Sequence, residues 1–209
     1  MDVHAGLADK KLNPEELAEL VIVEPGLLPQ LLEGLGIPKA PVKFGCEKAL
    51  RLLSERVPQL LYPHYDFFVE MLDNENSFLR WGAIHTIGNL AASDAENRFD
   101  AIFDKYFSPI PGPALIPAAN AIGGAAKIAA ARLELAERIT AELLKVEKAV
   151  YQTPECRNVA LGQAIDALNT FFDKIEDKGA VLAIVKRQLS NTRNATRKRA
   201  ERFIKRHGK

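Results

Sequence analysis

Apolar residues recur along this chain with the period of a helix. In the segment LRWGAIHTIGNLAA, Leu79, Ala83, Ile87 and Leu90 follow one another at spacings of four, four and three, which places them on one stripe of an α-helix. Comparable stretches of about 10 to 18 residues fill the sequence. Strand signals are scarce: no run rich in Val, Ile and Thr alternates apolar with polar positions, and no Asn-Gly or Asp-Gly turn joins two such runs. The pattern predicts an all-α chain.

Short segments rich in Pro, Gly, Asn and Asp separate the periodic stretches. They lie at Val23 to Gly26, Gly36 to Pro41, Asp73 to Ser77, Ser108 to Pro113, Tyr151 to Pro154 and Ser190 to Asn194. Asn13 before Pro14 and Thr153 before Pro154 each put an N-cap side chain ahead of a proline at the first helical position. Glu16, three residues after Asn13, has capping-box spacing. Both sites are expected helix starts.

An array of short helices calls for a search for internal repeats, and one emerges. The triplet Arg80, Ala83, Ile87 is matched by Lys43, Cys46, Leu50; by Leu115, Ala118, Ile122; by Asn158, Leu161, Ile165; and by Arg197, Ala200, Ile204. The starting positions step by 37, 35, 43 and 39 residues, near the ~40 to 47 of a two-helix repeat unit. A single domain over 1–209 follows, with a cap at 1–24 and helical hairpins at about 25–57, 58–93, 94–131, 132–172 and 173–208. Gly45 and Gly82 fall at one repeat position. An interior helical Gly costs about 1 kcal/mol relative to Ala, so tight helix packing is expected there.

The segments LRWGAIHTIGNL and TRKRAERFIKR resemble the second helices of HEAT repeats, in which a basic residue, a small residue and an aliphatic succeed one another. The resemblance covers about four-fifths of the chain. It implies a right-handed α-α superhelix, a solenoid of about five HEAT-like hairpins. It also implies a scaffold for protein interaction, a minority of such repeats being adapted to nucleic acid or catalysis. The third repeat departs from the pattern, with Leu115 at the usual basic position and Gly123 and Gly124 inside its second helix. Those glycines are expected to relieve crowding or kink the helix.

Composition is that of a folded chain, with 47% hydrophobic and 26% charged residues. The N-terminus has no signal-peptide pattern, and no stretch of about 18 apolar residues occurs. A cytoplasmic protein without a membrane span is expected. Cys46 and Cys156 lack a C-x-x-C arrangement and are expected to be buried packing residues rather than metal ligands or a disulfide. The net charge of +1 is unevenly spread: Val185 to Lys209 carry ten Lys and Arg against one acid, Glu201, which leaves 18 basic and 26 acidic residues in the rest. An acidic body therefore meets a cationic end.

No catalytic pattern stands out. There is no G-x-S-x-G elbow, no phosphate-binding G-x-x-x-x-G-K-[ST] loop, and no His-Glu dipeptide of the kind a HEAT-type metal-dependent hydroxylase would carry. His64, in YPHYDFF, is read as part of a helix start at Pro63, with Tyr65, Phe68 and Val69 as the buried face. Trp81 shares a repeat position with Phe44, Ile116 and Val159, which favours packing over ligand stacking. No catalytic, metal or cofactor residue is assigned.

Two binding surfaces remain. Five residues after each repeat start stand Lys48, His85, Asn120, Gln163 and Arg202, all polar among Ala, Ile and Leu. With Asn89, the first four are expected to hold a protein partner along the concave face of the stack. The second surface is an expected helix from about Ala195 to Arg206, with Ala200, Phe203 and Ile204 buried. Its Arg197, Arg199, Arg202, Lys205 and Arg206 suit phosphate or an acidic partner. The alternative to a protein scaffold is thus nucleic-acid binding through this helix, resembling the HEAT-like alkylpurine DNA glycosylases. Those enzymes surround a lesion with aromatic residues and an acid, whereas this chain has one tryptophan.

Overall fold

The computed structural model describes residues 1–208, and among them there are thirteen α-helices and no strand. The chain divides into two compact units, Met1–Ala95 and Glu96–Lys209. The division falls two residues beyond Ser93, the expected end of the second hairpin.

In the first unit, α1 (Val3–Ala8) and α2 (Pro14–Val23) form the cap, followed by the hairpins of α3 (Leu28–Gly34) with α4 (Ala40–Arg56), and of α5 (Pro58–Leu61) and α6 (Tyr65–Met71) with α7 (Ser77–Leu90). The second unit contains α8 (Phe99–Phe107) with α9 (Leu115–Ala131), α10 (Ala136–Leu144) with α11 (Pro154–Phe171), and α12 (Lys178–Arg187) with α13 (Asn194–His207). Successive second helices pack side by side, α4 on α7 in the first unit and α9 on α11 on α13 in the second.

The expected starts are built as the sequence suggests. Asn13 Oδ1 accepts from the Glu16 amide at 2.9 Å while Glu16 Oε2 accepts from the Asn13 amide at 3.2 Å, a reciprocal capping box. Thr153 Oγ1 accepts from the Cys156 amide at 3.1 Å. One start differs: Tyr62–His64 is a 3-10 turn and the α-helix begins at Tyr65, so Pro63 shapes the turn rather than the first helical residue. Tyr65 and Phe68 are buried as expected, and Val69 is half-buried.

The repeat register holds in the packing. Cys46, Ala83, Ala118, Leu161 and Ala200 are buried, as are Leu50, Ile87, Ile122 and Ile165. Ile204 in the last helix is half-buried. Each fully buried Leu or Ile contributes about 1.5–3 kcal/mol through area removed from water. Gly45 lets α4 approach Leu7, and Gly82 lets α7 approach the side chain of Glu47, since a Cβ at either position would collide. Cys46 is buried, but Cys156 is half-exposed on the first turn of α11, because the proline start turns that position toward solvent.

The basic residue that opens the repeat pattern has a visible job in two hairpins. Arg80 Nη1 donates to the Asn74 carbonyl at 2.6 Å, and Arg197 Nη1 donates to the Asn191 carbonyl at 3.0 Å, six residues back in both cases. The two turns match further: Asn74 Oδ1 accepts from the Asn76 amide at 2.9 Å, and Asn191 Oδ1 from the Arg193 amide at 2.8 Å. The guanidinium thus ties its own helix to the turn that precedes it.

Candidate functional site

Side-by-side packing of α9, α11 and α13 leaves two parallel grooves in the second unit. The first, of about 270 Å³, lies between α9 and α11 over Ala119, Ile122, Gly123, Ala126, Gln163 and Ala167. The second, of about 330 Å³, lies between α11 and α13, with Arg199, Arg202 and Arg206 on one side and Ile165, Asp166 and Asn169 on the other. Small side chains open the first groove; arginines wall the second. Asp166 borders both and forms an ion pair with Arg199, Nε to Oδ2 at 2.9 Å.

The floor of the first groove follows from local sequence. Gly123 is exposed and a Cβ there would meet nothing within 4 Å, so this glycine leaves open space. Gly124, next to it, is buried against the phenol of Tyr106, where a Cβ would collide. The expectation that this pair relieves crowding therefore describes Gly124, while Gly123 shapes the surface. Gln163 reaches the groove from α11, and its Oε1 is buried without a hydrogen-bond partner among the described residues.

The polar ladder does not share one environment. Lys48, His85, Asn120 and Gln163 are half-buried and Arg202 is exposed. Lys48 Nζ pairs with Glu15 Oε1 of the cap at 2.5 Å, a hydrogen bond that holds the Glu15 carboxyl below the usual range. Asn89 is 9% exposed, and its Nδ2 donates to Ser54 Oγ at 2.8 Å, which joins α7 to α4. Neighbouring apolar positions are more open than packing alone would make them: Phe44 is 38% exposed and meets the ring of the exposed Phe78 edge-on at 4.8 Å, and Ile116 is 51% exposed.

At the cationic end, α13 runs from Asn194 to His207, close to the expected span. Several of its charges are engaged within the unit. Arg187 makes two bonds to Glu147 at 2.5 and 2.8 Å, Arg193 pairs with Glu155, and Arg199 pairs with Asp166, so the acidic preceding hairpin attracts the basic last one. Arg197 is committed to its turn. Arg202 and Arg206 line the second groove with no acidic partner among the described residues, and Lys205 is exposed beside them.

Three side chains near these features carry no sequence signal of their own. Glu47 is 6% exposed, with Oε1 3.8 Å from Arg51 and Oε2 unpaired among the described residues, and burial pushes its carboxyl up to about 7. His207 stands 2.9 Å from Asn169 Oδ1 and packs at a tilt against the rings of Phe172 and Phe203; burial, with help from Arg206, holds its ring below the ordinary histidine range. Asp166 becomes a site residue only because α9 and α13 flank α11, a fact of packing order. Among the described residues no group of three or more His, Cys, Asp and Glu could hold a metal, and no helix is long and apolar enough to cross a membrane.

No protein-family profile and no curated protein sequence matches the chain. Solved structures do. It is similar to a designed armadillo repeat protein in complex with the peptide (KR)4, with TM-score 0.59 and 17% identity over 92% of this chain and 86% of that one. It is also similar to a second designed armadillo repeat protein, with TM-score 0.56 and 19% identity over 98% and 90%. A structure of the Pds5–Scc1 complex matches with TM-score 0.58 and 16% identity, over 91% of this chain and 29% of the other. In fold, the chain is an armadillo/HEAT-like helical-repeat solenoid.

Proposed function

We propose that this protein is a non-enzymatic scaffold that binds a protein segment along its second helices, with the grooves of α9, α11 and α13 as the principal contact. The observation that carries this reading is the pair of adjacent grooves built from the same repeat positions, one floored by small residues and the other walled by arginines. In the first unit the equivalent positions of α4 and α7 carry the Asn89–Ser54 hydrogen bond. Similar folds in solved structures include one in complex with a peptide and one in a protein complex. Gln163 lines the first groove and Arg202 the second as ladder positions, and Lys48, His85 and Asn120 share their repeat register.

The test is a quantitative capture of partners by wild-type protein and by Gly123→Arg, each with and without nuclease. The arginine enters open space, so the fold stays intact while the first groove is filled. Protein partners that survive nuclease and fall by about tenfold or more in the variant agree with the scaffold reading. Recovery of nucleic acid alone, abolished by Arg202→Glu with Arg206→Glu, would replace it with the nucleic-acid reading.

A further inference from the structure

The two grooves differ in chemistry, and their spacing restricts what fits both. Packed helices lie about 10 Å apart, so neighbouring grooves between three such helices are offset by about the same distance. A segment in the polyproline II conformation advances about 3.1 Å per residue with three residues per turn. Side chains three residues apart in such a segment therefore share one face about 9 Å apart and reach one groove each.

The groove between α9 and α11 offers Ala119, Ile122, Gly123, Ala126 and Ala167, an aliphatic bed with a charge only at its Asp166 border. In the groove between α11 and α13, Arg199 is already neutralised by Asp166, while Arg202 and Arg206 present guanidinium groups without an acidic partner among the described residues. We propose that this second groove takes the carboxylate of an acidic residue from a protein segment in the polyproline II conformation, and that an aliphatic side chain three residues away in that segment seats between α9 and α11. The inference rests on the scaffold reading above and names the chemistry of the segment.

A nucleic-acid strand fits less well. Its phosphates would continue past Arg202 and Arg206 onto Asp166 and the uncharged first groove, and Arg187, Arg193 and Arg199 are already paired with Glu147, Glu155 and Asp166. A carboxylate segment needs positive charge at one place and apolar surface at the next. That is the order in which the second unit supplies them.

The test uses the full chain and a fluorescent synthetic peptide repeating Leu-Ser-Gly-Glu, in which every Leu precedes a Glu by three positions. Anisotropy titrations compare it with versions carrying Gln or Lys in place of Glu, and with a single-stranded oligothymidylate. The Glu peptide is expected to bind at least about tenfold more tightly than the Gln and Lys versions. Its binding should drop by about tenfold in Arg202→Glu and in Arg206→Glu, and separately in Gly123→Arg. Circular dichroism and thermal midpoints confirm that each variant is folded. Equal binding of the Glu and Gln peptides, still lost in Gly123→Arg, overturns the acidic specificity while leaving the scaffold standing. Binding of oligothymidylate alone, or of no probe, overturns the proposal outright.

Discussion

Gly123 and Gly124 are adjacent in one helix and are held in place by different physics. At Gly123 a methyl group meets open space, so Gly123→Ala gains helix propensity, about 0.5–1 kcal/mol. At Gly124 the same methyl collides with the buried phenol of Tyr106, and Gly124→Ala costs about 1–3 kcal/mol through overpacking. Urea midpoints that move in opposite directions for the two variants are the expected result. The Glu47 carboxyl gives a second residue-scale expectation. Burial raises it from 4.5 to about 7, so the folded chain keeps a proton that the unfolded chain has released across that window. Stability therefore falls as pH rises from about 4.5 to about 7, by at most about 1.4 kcal/mol per unit, and then levels off. Glu47→Gln should flatten that slope in denaturation midpoints taken across the window. The glycines were visible in the sequence as a departure from the repeat. Which of them faced a tyrosine and which faced solvent depended on α8 packing against α9, a non-local fact.

Helices and their turns show where sequence pattern suffices. The capping box at Asn13 and the Thr153–Pro154 start are local chemistry, and both form as their residues imply. Helical periodicity and the internal repeat located the second helices, because burial of Cys46, Ala83, Ala118 and Ala200 repeats with the register. The clamps of Arg80 and Arg197 were legible as basic residues at a repeat position, but not as structural groups, since their acceptors are main-chain carbonyls that any sequence possesses. Arg80→Ala and Arg197→Ala should each cost about 1–2 kcal/mol. Hydrogen exchange should quicken in the turn at 74–76 for the first and at 191–193 for the second, and little elsewhere. Asn89 was expected on the concave face beside the polar ladder, and its amide bonds Ser54 across a helix pair. Asn89→Ala should lower stability by about 1–3 kcal/mol, the cost of leaving a buried partner group unsatisfied.

For the molecule as a whole, the cationic end is a matter of net charge that the sequence shows and of pairing that it does not. Glu147, Glu155 and Asp166 lie 40, 38 and 33 residues before their partners Arg187, Arg193 and Arg199, roughly one repeat, so each pair forms only because consecutive hairpins stack. Arg202, Lys205 and Arg206, without an ion pair among the described residues, gather at the groove between α11 and α13, a surface suited to a short charged segment. Exposed arginines are screened by salt, so binding of the acidic probe should weaken as ionic strength passes about 0.1 M, while the aliphatic contribution persists. In the scaffold reading a protein segment lies across α9, α11 and α13. Its most direct test is amide chemical-shift mapping during titration with the Leu-Ser-Gly-Glu peptide. Shifts concentrated at Ala119, Gly123, Gln163, Asp166, Arg199 and Arg202 are predicted. Shifts confined to the first unit, or to α8, α10 and α12, would contradict it.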